Sequence, residues 1–194
     1  MTVRRAVTGT SALVFVDVVN HFEFPGGDRL LVHANAIAAN LLALRSAAHR
    51  GGTPVIYAND NFGDWRSDAS RILASCCRRG RRGAAFARKL APTRRDYFVL
   101  KPANSAFYCT ALEPLLHSLK VRALILCGLT ADNCVLFTAH DAYLRDYRLR
   151  VPEDCVASQR ASESRRALEH MRVALKADIR PSTAIAFAGR KRRQ

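Results

Sequence analysis

Short apolar runs alternate with longer segments of helical periodicity along the 194 residues of this chain. An apolar run that stops at a polar residue or a glycine is typical of a strand buried on both faces of a parallel sheet. Such runs predict strands at 12–16, 54–58, 97–100, 123–127 and 148–151, with a further edge strand at 178–180. Apolar residues that recur every three or four positions predict helices at 31–49, 67–77, 110–119, 135–145 and 162–175.

The alternation of strands and helices predicts an α/β fold. Strands separated by single helices form right-handed βαβ units, which build a mainly parallel sheet with helices on both faces. The length suits a single domain over 1–194, and nothing in the sequence marks a linker. The pattern is weakest over 62–93, and the basic tail at 189–194 is predicted to be a solvated end.

The composition favours a folded globule, since 49% of the residues are hydrophobic. The formal net charge of +15 comes mostly from arginine and favours anionic partners or substrates. One alternative is therefore a basic nucleic-acid-binding protein without catalysis, based on the arginines at 78–82 and 190–193. These arginines have no interleaved aromatics and belong to no recognisable binding module, so we expect no specific nucleic-acid partner.

The six cysteines include no C-x-x-C spacing. The apolar run that starts at Ala12 is cut short by Asp17, which does not fit a secretory signal. We therefore expect reduced thiols and a cytoplasmic location. No apolar run approaches the ~20 residues needed to cross a bilayer, so no membrane association is predicted.

One cysteine, Cys134, stands where a strand gives way to a helix. The apolar run 124–127 ends at Gly128, a short polar turn follows, and the predicted helix begins directly after Cys134. The amides and dipole of a helix N-terminus lower the pKa of a thiol from about 8.5 toward neutrality, which produces a nucleophilic thiolate. The alternative is that Cys134 is a small buried hydrophobic residue, as many free cysteines are.

Two further ionisable residues follow predicted strands. Asp17 comes directly after the first strand and Lys101 after the third. Because the carboxyl ends of parallel strands meet at one edge of the sheet, where ligands bind, Asp17, Lys101 and Cys134 are expected to converge there. Taken singly, Asp17 is also explained as a turn residue and Lys101 as a solvated surface charge.

These residues belong to a set of motifs in a fixed order. The motifs read Ala-Leu-Val-Phe-Val-Asp at 12–17, Tyr-Ala-Asn-Asp-Asn-Phe at 57–62, Leu-Lys-Pro at 100–102, Cys-Gly-Leu-Thr-Ala-Asp-Asn-Cys at 127–134, Asp-Ala-Tyr-Leu-Arg-Asp-Tyr at 141–147 and Pro-Glu-Asp-Cys at 152–155. The sequence resembles the isochorismatase-like cysteine hydrolases, a superfamily that includes nicotinamidases and N-carbamoylsarcosine amidases. The resemblance implies a Rossmann-like isochorismatase fold, a three-layer α/β/α sandwich with a six-stranded, mainly parallel sheet.

The resemblance also implies a catalytic machinery. The family's triad falls on Asp17 as general base and acid, Lys101 as the stabiliser of the thiolate, and Cys134 as the nucleophile that forms a thioester. The family's cis peptide falls on Leu129–Thr130, which makes the amides of Thr130 and Cys134 the expected oxyanion donors. The implied reaction is cleavage of a C–N bond in a small amide or ureide. The alternative within the superfamily is hydrolysis of a vinyl ether, which needs no thiol nucleophile.

Nicotinamidases of this superfamily bind a divalent metal through an Asp-x-His segment after the second strand. The corresponding residues here are Asp60-Asn61-Phe62, without the histidine, so Asp60 is interpreted as a turn or substrate-contacting residue. We therefore predict no catalytic metal and no cofactor, which disfavours nicotinamide as substrate. Family members are commonly dimers or tetramers, so a homo-oligomer is expected. Candidate substrate-binding residues lie on loops after strand ends, and they are Asn20, Phe24, Asn61, Trp65, Arg66, Phe107 and Tyr108.

Overall fold

The computed structural model describes residues 10–187, and the predicted tail at 189–194 lies outside them. Within this range six strands form one parallel sheet in the order β3-β2-β1-β4-β5, with β6 also pairing with β4. The strands are β1 Thr10–Val16, β2 Val55–Asp60, β3 Tyr97–Lys101, β4 Val121–Leu129, β5 Arg148–Arg150 and β6 Val156–Ala157. The central strands β1 and β4 are almost entirely buried, as their continuous apolar sequences require.

Helices cover both faces of this sheet. They are α1 Gly27–Gly51, α2 Ala69–Cys76, α3 Ala84–Leu90, α4 Leu112–Ser118, α5 Cys134–Leu144 and α6 Ala161–Ala174. Alternate residues of β1 point to opposite faces, so Leu13 packs with α1 and α3 whereas Val14 packs with α4, α5 and α6. The two hydrophobic clusters confirm the three-layer α/β/α sandwich with a six-stranded, mainly parallel sheet.

The C-terminal edge strand predicted at 178–180 is wrong. Asp178 forms one isolated bridge with Arg150, and the sixth strand is β6 instead. The Glu153 amide donates to the Ile179 carbonyl at 3.2 Å, but the Arg180 backbone and side chain then bond to the Asp178 carboxylate, and Pro181 has no amide hydrogen to donate. In the weakly patterned stretch 62–93, the predicted helix is confirmed as α2, and α3 is a helix that the pattern did not resolve.

Helix α1 has 25 residues and, by length and mean hydropathy alone, is apolar enough to cross a membrane. Its buried residues include Leu30, Ala34, Ile37 and Leu41, which recur along one helix face. This face packs on the sheet in the same hydrophobic cluster as Leu13. A core helix of a folded protein satisfies the same length and composition test, so α1 does not contradict the expectation that no uninterrupted apolar run approaches ~20 residues.

Candidate active site

The strand order of the sheet reverses between β1 and β4, which makes this point the topological switch point. The chain runs outward from β1 through β2 to β3, then returns to place β4 on the other side of β1. Asp17 follows β1 and Cys134 is the first residue of α5, one short turn after β4. The two strands approach so closely here that a Cβ on Gly128 would lie 2.1 Å from the Val16 carbonyl oxygen, so only glycine fits. The sheet therefore brings Asp17 and Cys134 together at its carboxyl edge.

Lys101 reaches these two residues from the edge strand. It is the last residue of β3, which lies two strands and roughly 10 Å from β1. Its fully buried side chain extends over the end of β2, and its Nζ lies 2.9 Å from Asp17 Oδ2 and 3.5 Å from Cys134 Sγ. Nζ also donates to the Ala103 carbonyl at 3.1 Å. The three predicted residues thus meet in one cluster.

The Asp17 carboxylate is held from two sides. Its Oδ1 accepts the Asp60 amide at 2.7 Å, and its Oδ2 faces Lys101. The Asp17 backbone has a positive φ of 52°, which is uncommon outside glycine and tolerated by aspartate. Burial raises the pKa of Asp17 above its ordinary value, although Lys101 acts in the opposite direction. A raised pKa makes this carboxylate a stronger base toward a neighbouring thiol.

The sequence-based expectation that Cys134 has a lowered pKa is wrong. Burial and the adjacent Asp17 carboxylate raise the pKa of the Cys134 thiol to about 12, against the opposing effect of Lys101. Burial alone would lower the pKa of Lys101, but attraction to the Asp17 carboxylate and a hydrogen bond to it raise that pKa above its ordinary value. The resting site therefore holds a protonated thiol beside a carboxylate and an ammonium ion, and the thiolate forms only when Asp17 removes the proton.

This protonation state predicts how Cys134 reacts with an alkylating agent. The rate of carboxamidomethylation by iodoacetamide should keep rising from pH 6 to pH 10 without a plateau, because the pKa of Cys134 is about 12 and the thiolate fraction is still growing. The measurement is peptide mass spectrometry of Cys134 at timed intervals, with the exposed Cys109 as internal comparison. A plateau for Cys134 below pH 8 would contradict the raised pKa.

The nucleophile helix is tied to the loop that follows Lys101. The Thr138 hydroxyl donates to the Cys134 carbonyl at 2.7 Å and accepts the Ala106 amide at 3.0 Å. One turn further along α5, the Asp141 carboxylate accepts the Ser105 hydroxyl at 2.5 Å. These contacts fix the distance between α5 and the end of β3. Sequence reasoning missed Thr138, although a threonine four residues after the cysteine, among apolar positions, is a detectable signal.

Asn59 is a second residue that sequence reasoning missed. It is buried at the end of β2, where its carboxamide accepts the Val19 amide at 3.0 Å and donates to the Val19 carbonyl at 3.0 Å. These two bonds hold the loop that carries Asp17. The next residue, Asp60, has a partly exposed carboxylate whose Oδ2 lies 3.7 Å from Lys101 Nζ. Its Oδ1 accepts the Phe62 amide at 2.6 Å, so Asp60 is both a turn residue and a wall of the site.

The peptide bond between Leu129 and Thr130 is cis, as the resemblance implies. The Thr130 carbonyl accepts the amides of Asn133 and Val135, both at 3.1 Å, so the turn closes on itself in front of α5. Cys134 is the first residue of that helix, and its amide has no acceptor within the helix. The turn and the helix start therefore lie side by side, next to the sulfur.

The predicted substrate-binding residues fall into distinct environments. Asn20 and Asn61 are buried, and each carboxamide oxygen accepts the backbone amide two residues ahead, which shapes the loops after β1 and β2. Trp65, Arg66 and Tyr108 are exposed, Trp65 by 80%. Their contact with substrate stays a prediction.

Phe107 belongs to the hydrophobic cluster on one face of the sheet, and Phe24 packs against the cluster on the other face. Phe24 is half-buried and stacks on Phe22 at 6.4 Å between ring centroids. Phe107 is buried, with its ring 6.0 Å from that of Tyr147 and beneath the Arg145 guanidinium at 4.9 Å. This side chain packs inward against α5 and the residues after it, and its contact with substrate stays a prediction.

Metal-ligating side chains do not gather at the triad. Across residues 10–187, no three histidine, cysteine, aspartate or glutamate side chains come together in a manner that would hold a metal ion. Asp60 lies beside Lys101, whose positive charge opposes a cation at this position. That catalysis proceeds without a metal stays a prediction.

The chain is similar in sequence and in structure to proteins of the isochorismatase family. The model of the isochorismatase domain matches residues 11–182. The chain is 41% identical over 168 residues to the uncharacterized isochorismatase family protein YaaI of Bacillus subtilis (strain 168), covering 87% of this chain and 92% of that protein. It is 30% identical over 159 residues to maleamate amidohydrolase of Pseudomonas putida, covering 76% and 72% of the two chains. The solved structure of N-carbamoylsarcosine amidase from Thermoplasma acidophilum matches with a TM-score of 0.70 and 31% identity, covering 91% and 98%.

Proposed function

Since the chain belongs to the isochorismatase family, we propose that it hydrolyses a C–N bond of a small amide or ureide through a thioester on Cys134. One observation carries the proposal. A single buried ammonium ion, Lys101 Nζ, lies 2.9 Å from a carboxylate oxygen of Asp17 and 3.5 Å from the Cys134 sulfur. A base, a cation and a nucleophile within contact of one another are the groups that acyl transfer through a thiol requires.

In the first half of the reaction, Asp17 takes the thiol proton of Cys134 as the sulfur attacks the carbonyl carbon. The raised pKa of Asp17, caused by its burial, suits this transfer. The amides of Thr130 and Cys134 donate to the oxyanion that develops on the carbonyl oxygen, an interaction worth roughly 3–4 kcal/mol per donor in comparable sites. Asp17 then gives the proton to the leaving nitrogen, the C–N bond breaks, and ammonia or an amine departs.

In the second half, water attacks the thioester carbon while Asp17 accepts a proton from that water. The C–S bond breaks, the carboxylic acid leaves, and the proton returns to the sulfur. Throughout both halves Lys101 remains protonated, because its raised pKa keeps the ammonium form at neutral pH. Its charge stabilises the transient thiolate and holds Asp17 in place by direct contact.

The relatives indicate which substrates to test first. One is named for maleamate and another for N-carbamoylsarcosine, which are a primary amide and a ureide. We expect the purified protein to release ammonia from at least one member of a panel of small amides and ureides that includes both. Ammonia is measured by a coupled assay, and nicotinamide is the comparison that should react more slowly. Cleavage of a vinyl ether such as isochorismate, with no ammonia released from any amide or ureide, would overturn the proposal.

A further inference from the structure

Two histidines on neighbouring helices meet at the surface, away from the triad. His140 on α5 and His170 on α6 place their Nε2 atoms 3.1 Å apart, with ring centroids separated by 5.1 Å. His170 is exposed and His140 is half-buried. His140 lies six residues after Cys134, roughly 9 Å along the helix axis, so the pair is separate from the reacting atoms.

The separation of the two nitrogens matches that of two ligands on one metal ion. At metal–nitrogen distances of 2.0–2.1 Å, two adjacent imidazole nitrogens lie about 2.9 Å apart on an octahedral ion and about 3.4 Å apart on a tetrahedral one. The observed 3.1 Å falls between these values. Without a metal, the Nε2 of one ring donates its hydrogen to the Nε2 of the other. A metal ion between the two rings replaces that hydrogen, and each neutral ring then carries its single N–H hydrogen on Nδ1.

The surroundings leave space for the water ligands that such an ion needs. His170 lines a surface depression of about 310 Å³ whose walls include Asp132, Glu163 and Arg166. Asp132 accepts the Ser158 hydroxyl at 2.6 Å and Glu163 accepts the Arg160 amide at 3.0 Å, and each carboxylate can accept further hydrogen bonds from water in the depression.

We propose that His140 and His170 form a peripheral binding site for a divalent transition-metal ion of the zinc class, with two imidazole ligands and water in the remaining positions. Imidazole nitrogen suits zinc, copper and nickel, whereas magnesium and calcium prefer oxygen. The ion joins α5 to α6. It thereby stabilises the folded chain without taking part in the reaction at Cys134.

Isothermal titration calorimetry with Zn²⁺ at pH 7.5 tests the site. We expect one binding event per chain that depends on both histidines, and His140→Ala or His170→Ala should weaken it by roughly tenfold or more, since even outer-shell partners of a metal contribute that factor. His117→Ala replaces an exposed histidine on α4 and should leave the event unchanged. Any zinc that binds to thiols should contribute the same heat in the wild type and in the three variants. The difference in binding between the wild type and the His140 or His170 variants therefore reports on the histidine pair alone.

Thermal unfolding provides a second readout that does not depend on catalysis. Zn²⁺ at 100 times its dissociation constant should raise the Tm of the wild-type chain by roughly 5–10 °C, because the ion binds the folded state in which α5 and α6 are adjacent. Neither histidine variant should show this increase, and each should retain the wild-type Tm without zinc to within a few degrees. Zinc binding and a Tm increase that persist in both variants, or no zinc binding to the wild type, would overturn the proposal.

Discussion

Cys134→Ala is expected to lower kcat/KM for the best amide or ureide substrate by roughly 10⁴–10⁶-fold, the loss seen when the nucleophile is removed from a catalytic triad. The sulfur is the only atom of this side chain that can form the thioester. No other thiol replaces it, because Lys101 and Asp17 face Cys134 directly. The measurement is steady-state ammonia release at matched enzyme concentrations.

The variant must be folded for this loss to be informative. Removing one half-buried sulfur should change the free energy of unfolding by about 1 kcal/mol or less, since the ion pair between Asp17 and Lys101 remains intact. Cys109→Ser removes an exposed thiol and should keep wild-type activity. In the wild-type protein, brief incubation with substrate should add the mass of the acyl group to the peptide that contains Cys134. Activity retained in a folded Cys134→Ala protein would exclude the thioester mechanism.

The sequence predicts which residues form the site better than it predicts their chemistry. Asp17, Lys101 and Cys134 are identifiable because each stands at the end of a parallel strand, and strand ends share one edge of the sheet. The pKa of Cys134 is not predictable in the same way. A helix N-terminus is visible in the local sequence, whereas the burial and the Asp17 carboxylate that raise this pKa to about 12 are supplied by distant parts of the chain.

Strand β6 and the packing of Phe107 also depend on residues that are distant in sequence, so the local pattern does not predict them. Strand β6 has two residues, too few for any periodicity, and is recognised only by its pairing with Gly128 and Leu129 of β4. Phe107 lies on the loop after β3, and its ring packs against Tyr147, a buried partner that is far away in sequence and that the local pattern does not show. Local pattern therefore predicts the longer strands and helices, whereas tertiary contacts determine the shortest strand and how the loop side chains pack.

The Lys101–Asp17 pair makes a prediction about stability as well as activity. Lys101→Met should destabilise the protein by roughly 3–5 kcal/mol at pH 7, because it leaves the buried Asp17 carboxylate without its cation. Activity should fall by roughly 10²–10⁴-fold, since Asp17 loses the charge that holds it ionised as a base. Lys89→Met, an exposed lysine on α3, is the matched control and should change stability by about 0.5 kcal/mol or less.

The pH dependence distinguishes a lost charge pair from simple loss of packing. Without Lys101, burial raises the pKa of Asp17 further above its value in the unfolded chain, so the folded protein binds that proton more tightly than the unfolded one. The stability deficit of Lys101→Met should therefore shrink as the pH falls from 7 toward 4 in urea titrations. Adding Asp17→Asn removes the unpaired charge, and the double variant should be more stable than Lys101→Met alone at pH 7. Two results would contradict this role of Lys101: a loss of stability in Lys101→Met that does not change with pH, and a double variant whose loss equals the sum of the two single losses. Together they would mean that the buried ammonium ion is not what keeps Asp17 ionised.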